Sequence, residues 1–274
     1  MNPNIKIQRV QHILRHTGLL RLVEKIRYIC SVLRYAIENR KFKLNNPGYK
    51  VPPQSLAYDA YSAPDYNFYK ISGEKTAEAL FEIVSHYLQN GVIDTLEWGC
   101  GPARVVRHIP HSFGARLNKV WGTDYNPESI KWCKKNVPNV NFLLNTLVPP
   151  LPFDANSFDF IYSISVFTHL SESVSQQWID ELQRIIRPNG ILIISTNGDS
   201  RISFLLPEEL SVYQAKGIVI RDKFEEGKKM FWACHSPKYL EEKFFKNFTI
   251  LDFVLKGFPY TGQDMWVLGK NTIV

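Results

Sequence analysis

Thr95-Leu96-Glu97-Trp98-Gly99-Cys100-Gly101-Pro102-Ala103-Arg104, followed by Gly122-Thr123-Asp124, is the stretch that decides the fold of this chain. An apolar run, Val92-Ile93, leads into an acidic residue, a tight Gly-x-Gly turn and a helix-like segment through Ile109. Glycines let backbone N–H groups approach a ligand closely, and a helix N-terminus favours negative charge. Asp124 closes a second apolar run, Val120-Trp121-Gly122-Thr123, about 20 residues further on. A carboxylate in that place can accept hydrogen bonds from both hydroxyls of a ribose. The stretch therefore predicts a strand, a turn and a helix around a ribose-bearing cofactor.

Spacing narrows the cofactor. A dinucleotide fingerprint reads Gly-x-Gly-x-x-Gly, and counting from Gly99 puts Arg104 where its third glycine belongs. That, and the lack of a second nucleotide-binding half, disfavours a NAD-dependent dehydrogenase. The acidic-x-Gly-x-Gly-x-Ala run from Glu97 to Ala103 resembles motif I of the class I S-adenosylmethionine (SAM)-dependent methyltransferases, with Ala103 in place of the last glycine. Leu151-Pro152-Phe153 through Phe158-Asp159-Phe160-Ile161-Tyr162-Ser163 resembles the family's entry into strand four. Val166-Phe167-Thr168-His169-Leu170 resembles the segment just past it, and Glu181-Leu182-Gln183-Arg184 through Pro188-Asn189-Gly190 resembles the following helix and turn. The order and spacing hold from about residue 73 to 200.

The resemblance implies SAM as cofactor and a set of roles. Gly99, Cys100 and Gly101 would pass along the methionine part, with Glu97 near its amino group. Asp124 would hold the ribose and Tyr125 flank the adenine, whose edge Asn145, Thr146 and Leu147 would border. Ser163 to Val166, Ser165 included, would offer backbone groups to the methionine end. Arg104 is open to two readings, a partner for the SAM carboxylate or a cap on a surface helix. His169, at the rim past strand four, is the candidate general base, or else a histidine that packs or hydrogen-bonds in the loop before the Ser171 helix. Tyr66, Tyr69, His235 and Tyr260 are candidates for the substrate side, the first two also for an N-terminal lid.

Outward from the motif, apolar strands alternate with helical patterns, which implies a doubly wound, Rossmann-like α/β sheet. Strands are expected to end near Trp98, Asp124, Leu144, Ser165 and Thr196, and helices near 76–88, 102–110, 127–136 and 172–187. Phe248–Val254 and Met265–Leu268 should close a seven-stranded sheet as an antiparallel pair, with the last strand antiparallel as in the family. Residues 198–236 are read as an insertion or cap over the substrate side. The Val51-Pro52-Pro53 segment and the Phe68 to Gly73 turn resemble the lead-in of a bacterial subgroup of these enzymes. Two segments follow from this: a basic helical extension over 1–50 and a methyltransferase domain over 51–274.

The net charge of +7 sits in that extension, where eleven Lys and Arg oppose Glu24 and Glu38. Leu19, Leu22, Val23, Ile26, Cys30, Leu33 and Ile37 recur at helical spacing, with Arg21, Lys25 and Arg34 among the polar positions. Such a helix can pack on its own domain, pair with a second copy, or offer residues 1–44 to anionic lipid or another polyanion. Four scattered cysteines argue for reduced thiols and a cytoplasmic setting, at most peripheral to the inner membrane surface. His12/His16 and His108/His111 lack the further ligands a metal needs, so no metal is expected.

Several methyltransferase chemistries lack their residues here. The place of an Asn/Asp-Pro-Pro-aromatic motif reads Ser163-Ile164-Ser165-Val166-Phe167, and no cysteine nucleophile or metal-binding carboxylate cluster can be assembled. The expectation is a metal-independent transferase, acting by proximity and orientation on an oxygen of a small-molecule, glycan or lipid acceptor. The alternatives are methylation of RNA or another polyanion guided by the basic helix, and a SAM-binding protein without turnover.

Overall fold

The computed structural model describes residues 3–89 and 91–270, so the ends of the two expected segments (residues 1–2 and 271–274) lie outside the described residues. Three helices come first, α1 (Pro3–His16), α2 (Leu20–Arg34) and α3 (Ala36–Asn45), followed by α4 (Gln54–Tyr61) and α5 (Tyr66–Tyr87). The alternating part is β1 (Ile93–Trp98), α6 (Ile109–Phe113), β2 (Leu117–Asp124), α7 (Pro127–Asn136), β3 (Asn141–Leu144), β4 (Phe158–Ser163), α8 (Glu172–Ile185) and β5 (Ile186–Thr196). Then come α9 (Pro207–Lys216), the short strands β6 (Ile218–Arg221) and β7 (Trp232–His235), and finally β8 (Phe248–Val254) and β9 (Asp264–Lys270).

Seven strands form one sheet in the order β3-β2-β1-β4-β5-β9-β8, and β6 pairs β7 in a separate two-stranded ribbon. The first five run parallel, while β9 is antiparallel to both β5 and β8. The order reverses between β1 and β4, which opens a crevice at the carboxyl ends of those strands. The expected Rossmann-like seven-stranded sheet with an antiparallel last strand is present.

Period-2 alternation gives the sheet two apolar faces. Phe160, Tyr162, Ile191, Ile193 and Val267 meet Leu80 and Val84 of α5 and Ile130 of α7. Ile161, Leu192, Ile194, Trp266 and Leu268 face the other way, onto Trp178, Ile179 and Leu182 of α8. Each such fully buried side chain contributes about 1.5–3 kcal/mol. Local signals start the helices: Asn126 accepts from the N–H groups of Glu128 and Ser129 before α7, and Ser171 accepts from Val174 before α8.

Three expectations need correction. The helix expected over 102–110 is a series of turns, with a short 3₁₀ stretch at 106–108 and α6 only from Ile109. Ala103 explains this, because its φ of 58° lies in the left-handed region and cannot continue a right-handed helix. The turn expected from Phe68 to Gly73 lies inside α5, which begins ten residues before the expected Thr76. Asp65 starts it early by accepting from the N–H groups of Asn67 and Phe68. Gly73 is there for a close approach: a Cβ would sit 1.9 Å from the Arg104 carbonyl oxygen. Finally, the single amphipathic helix expected over Leu19–Ile37 is interrupted at Tyr35 and preceded by α1.

Candidate functional site

A cleft of about 550 Å³ opens at the carboxyl ends of β1, β2 and β4, within the usual range of small-ligand sites. The loop after β1 forms its floor and is held almost wholly by backbone. The Gly99 and Cys100 N–H groups donate to the Thr123 carbonyl at 2.8 and 2.9 Å. Gly99 has φ 79°, and a Cβ there would lie 2.1 Å from Val166 Cγ2, so this turn needs glycine on both counts. Ala103, where motif I carries a third glycine, is itself left-handed, so the departure keeps the backbone shape at the cost of some strain.

Asp124, at the end of β2, braces that loop. Its Oδ2 accepts from Gly101 N–H at 2.7 Å and its Oδ1 from Asn126 N–H at 2.8 Å, which leaves lone pairs on both oxygens. Burial raises its pKa, opposed by these two hydrogen bonds. Glu97 is buried behind the loop and accepts from Val106 N–H at 2.8 Å and Tyr162 O–H at 2.9 Å, both at Oε2. Burial pushes its carboxyl up to about 8 despite those donors and the Arg104 charge.

Arg104 caps no surface helix. It is buried, donates from Nη1 to Ser72 Oγ at 3.1 Å, and lies over the Tyr61 and Phe68 rings at 5.2 and 6.0 Å. Its Nε has no partner among the described residues. Across the cleft, Asn145 donates its amide to the Thr146 carbonyl at 2.7 Å, and its buried Oδ1 likewise lacks a partner. Thr146 and Leu147 line the same edge. Tyr125 donates its hydroxyl to the Gly227 carbonyl at 2.8 Å and so ties the cofactor rim to the segment between β6 and β7.

These residues fit SAM. An orphan guanidinium N–H among aromatic rings suits its carboxylate, and an orphan amide oxygen suits the exocyclic amine of adenine. Asp124 presents acceptors for ribose hydroxyls, and Glu97 a carboxyl for the α-ammonium.

Ser165 sits at φ 62°, donates to Gln263 Oε1 at 2.9 Å and takes its place on the cleft wall. Ser163 lies one step deeper, fully buried, with its hydroxyl off the cleft. His169 is on the wall. Its Nδ1 is 2.8 Å from the Phe231 carbonyl, which can only accept, so the ring proton sits on Nδ1 and Nε2 keeps its lone pair. Burial lowers its pKa, so the ring is neutral at pH 7.

Of the substrate-side candidates, Tyr260 lines the cleft and three do not. Tyr66 is buried against Phe42 and Lys43 of the N-terminal helices. Tyr69 is fully buried and donates to the Pro102 carbonyl at 2.7 Å, supporting the loop from beneath. His235 is sealed between Tyr239 and Phe244, where burial drives its pKa down to about 4. All three belong to elements next to the cleft, and helix and strand phase turn them inward. Conversely, Tyr61, Phe68, Asn197, Arg201, Lys229 and Trp232 line the cleft without having been singled out. Tyr61 and Phe68 belong to the lead-in segment and Arg201, Lys229 and Trp232 to residues 198–236, whereas Asn197 directly follows β5, a strand-end place that could have marked it.

The family described as "Methyltransferase domain" matches residues 96–194. A curated relative from Mycolicibacterium smegmatis, described as a probable S-adenosylmethionine-dependent methyltransferase, is 27% identical over 150 residues, which cover 49% of this chain. The chain spans about half the length of that relative (53%). A solved structure of a SAM-dependent methyltransferase from Methanosarcina mazei superposes with TM-score 0.52 at 17% identity, over 70% of this chain and 98% of that one. Another is 1,6-didemethyltoxoflavin-N1-methyltransferase of Burkholderia thailandensis, with its substrate and S-adenosylhomocysteine bound, at TM-score 0.51, 14% identity and coverage of 73% and 80%. Sheet order, cleft and matched domain together define a Rossmann-like cofactor-binding protein. More narrowly, residues 96–194 match a methyltransferase-domain family, and the sheet has the fold of SAM-dependent methyltransferases.

Proposed function

We propose that this protein transfers the methyl group of SAM to an oxygen of a small-molecule, glycan or lipid acceptor, without a metal. When bound, SAM supplies an electrophilic methyl on a sulfonium, open to in-line displacement. Arg104, Asp124 and Asn145 would hold the carboxylate, the ribose and the adenine of the cofactor. The acceptor enters on the side lined by Arg201, Trp232 and Tyr260, where aromatic faces and a cation suit a polar, ring-bearing molecule. The segment between β6 and β7, tied to the cleft rim by Tyr125, would help to shield the bound cofactor from water.

The observation that carries the choice of oxygen is the tautomer of His169. A neutral imidazole with its Nδ1 proton engaged offers Nε2 as the group that takes a hydroxyl proton as the nucleophile attacks. Among the described residues no group of three or more His, Cys, Asp or Glu is placed to hold a metal ion.

Calorimetric titration of S-adenosylhomocysteine into wild type and Asp124→Ala tests the cofactor half. The expected result is micromolar or tighter binding that weakens about 100-fold in the variant, since hydrogen bonds to a charged group contribute about 1.5–3 kcal/mol each. A folded wild type that binds none would sink the assignment. Incubation with methyl-labelled SAM and a panel of hydroxyl-bearing acceptors then tests turnover. Binding without transfer to any acceptor would favour a SAM-binding protein, and label entering RNA would favour the polyanion alternative.

A further inference from the structure

The N-terminal helices turn much of their apolar surface outward. On α8, an ordinary surface helix, Trp178, Ile179 and Leu182 face the core. On α1 to α3 the inward positions include the polar residues Gln8, Arg15, Glu24 and Asn39 beside the apolar Leu20 and Phe42, and Arg15, Glu24 and Asn39 have specific partners. Arg15 donates to the Met230 carbonyl at 2.7 Å, and its guanidinium and that of Arg21 lie over Phe224 at 5.6 and 5.8 Å. Glu24 pairs with Lys229 at 3.3 Å and accepts from Tyr58 O–H at 3.2 Å. Asn39 donates to the Pro64 carbonyl and accepts from Tyr66 N–H, at 2.6 and 3.0 Å.

The branched aliphatics point the other way. Leu22, Ile26, Ile29, Leu33 and Ile37 recur every three or four residues on one face, between 53% and 70% exposed. Ile7, Val10 and Ile13 of α1 are exposed as well. A stripe of exposed branched aliphatics along one helix face marks an interaction site.

Charge decides among its occupants. Of the eleven Lys and Arg in residues 1–50, ten are exposed, and Lys25 on one side and Arg27 and Arg34 on the other flank the stripe. Glu24 is engaged by Arg27 and Lys229, which leaves Glu38 as the one other acidic residue against the remaining cations, so the rim is basic. In a two-fold dimer through this face, basic rims would face each other. A nucleic acid would be served by exposed aromatic platforms, whereas the residues here are aliphatic. An aliphatic stripe with cationic flanks matches an anionic lipid surface, with the chains meeting the stripe and the headgroups the rim. No helix among the described residues is long and apolar enough to cross a membrane, so the contact would lie in the interface plane.

We propose that α1 to α3 dock this protein on an anionic membrane surface through the Leu22-Ile26-Ile29-Leu33 stripe, beside the cleft whose Lys229 they hold through Glu24. Docking would present the cleft to an acceptor at that surface, and does not itself depend on methyl transfer.

The test is co-sedimentation of the full chain with phosphatidylcholine vesicles, with and without about one-third phosphatidylglycerol. Three proteins are compared: wild type, Ile26→Glu/Leu33→Glu and Lys25→Glu/Arg34→Glu. All of these positions are exposed and away from the cleft, and S-adenosylhomocysteine titration of each confirms an unchanged fold. Wild type should bind the anionic vesicles at least about tenfold better than neutral ones and release them as salt rises. Both variants should lose about tenfold or more. Failure of wild type to bind overturns the proposal, as does binding that the Ile26→Glu/Leu33→Glu change leaves intact. A concentration-dependent dimer that the same change dissolves, without vesicle binding, would assign the stripe to a second copy. Retention on RNA instead of vesicles would assign the rim to a polyanion. Either of these results overturns the lipid assignment while leaving the cofactor cleft untouched.

Discussion

The cofactor side and the acceptor side of the cleft are built differently. The cofactor side is one local stretch, β1 to β2, whose backbone N–H groups are braced by Thr123 and Asp124 and whose left-handed positions leave little freedom. The side proposed for the acceptor is lined by the lead-in helices, the wall past β4, residues 198–236 and the turn before β9, and it presents side chains. A ligand common to a whole class can be held by backbone geometry, which many sequences share. A ligand peculiar to one protein is held by side chains brought from afar.

The largest effect should come from His169→Ala, on the acceptor side alone. With the acceptor found by the labelling screen, kcat should fall about 100-fold or more, as for loss of a general base, while S-adenosylhomocysteine affinity stays within about threefold. The pH profile is the stricter check. The histidine acts when neutral, and burial holds its pKa below the ordinary 6.5. Wild-type rate should therefore be flat near pH 7 and fall only below 6.5, and the variant should lose that limb. An unchanged acid limb in the variant would remove His169 from the chemistry.

Next in size is Gly99→Ala, which sharpens the claim that the cofactor side is fixed by backbone. A φ of 79° and a contact of 2.1 Å with Val166 together should cost about 2–4 kcal/mol of stability by thermal or denaturant unfolding. Adding Val166→Ala should recover the steric part and leave the conformational part. A single variant as stable as wild type would mean the turn has slack that this packing does not show.

The same contrast explains what the sequence alone could deliver. Strand ends at Trp98, Asp124 and Leu144 and the helices at 127–136 and 172–187 were legible, because each depends on a short run of neighbours. Asp124, Arg104 and Asn145 were legible through their place after strands. Tyr69 and His235 were misplaced because chemistry suggests a site, whereas only tertiary packing says which way a side chain turns. Arg201, Lys229 and Trp232 carry no local pattern at all; they meet the cleft through the path of the 39 residues 198–236. The outward-facing apolar stripe of α2 had the same periodicity as a buried one, and periodicity does not say which side is packed.

Arg104→Met should have an intermediate effect confined to one end of the cofactor. Removing the orphan guanidinium donor should weaken S-adenosylhomocysteine about tenfold, in line with a charge-assisted hydrogen bond of about 1.5 kcal/mol or more. Methylthioadenosine, which lacks the amino-acid part, should bind both proteins alike. Equal losses for the two ligands would instead make Arg104 a support for Tyr61 and Phe68.

The smallest effect is expected at Glu97, and it concerns the free protein. Burial raises this carboxyl to about 8 from an ordinary 4.5, so between those values the folded state binds more protons than the unfolded state. The sign follows: the contribution to stability is fully present below about pH 4.5 and is lost as pH rises towards 8. Glu97→Gln cannot ionise, yet its amide oxygen can still accept from Tyr162 and Val106, so its stability should lack this decline. Between pH 5.5 and 8.5 the wild-type Tm should drop by more than the variant's, by roughly 2–4 °C for each kcal/mol of linked stability. Saturating S-adenosylhomocysteine should shrink that difference, because an α-ammonium beside Glu97 stabilises the carboxylate and binding then releases a proton. Parallel pH curves with and without the ligand would show that Glu97 serves the loop and never meets the cofactor.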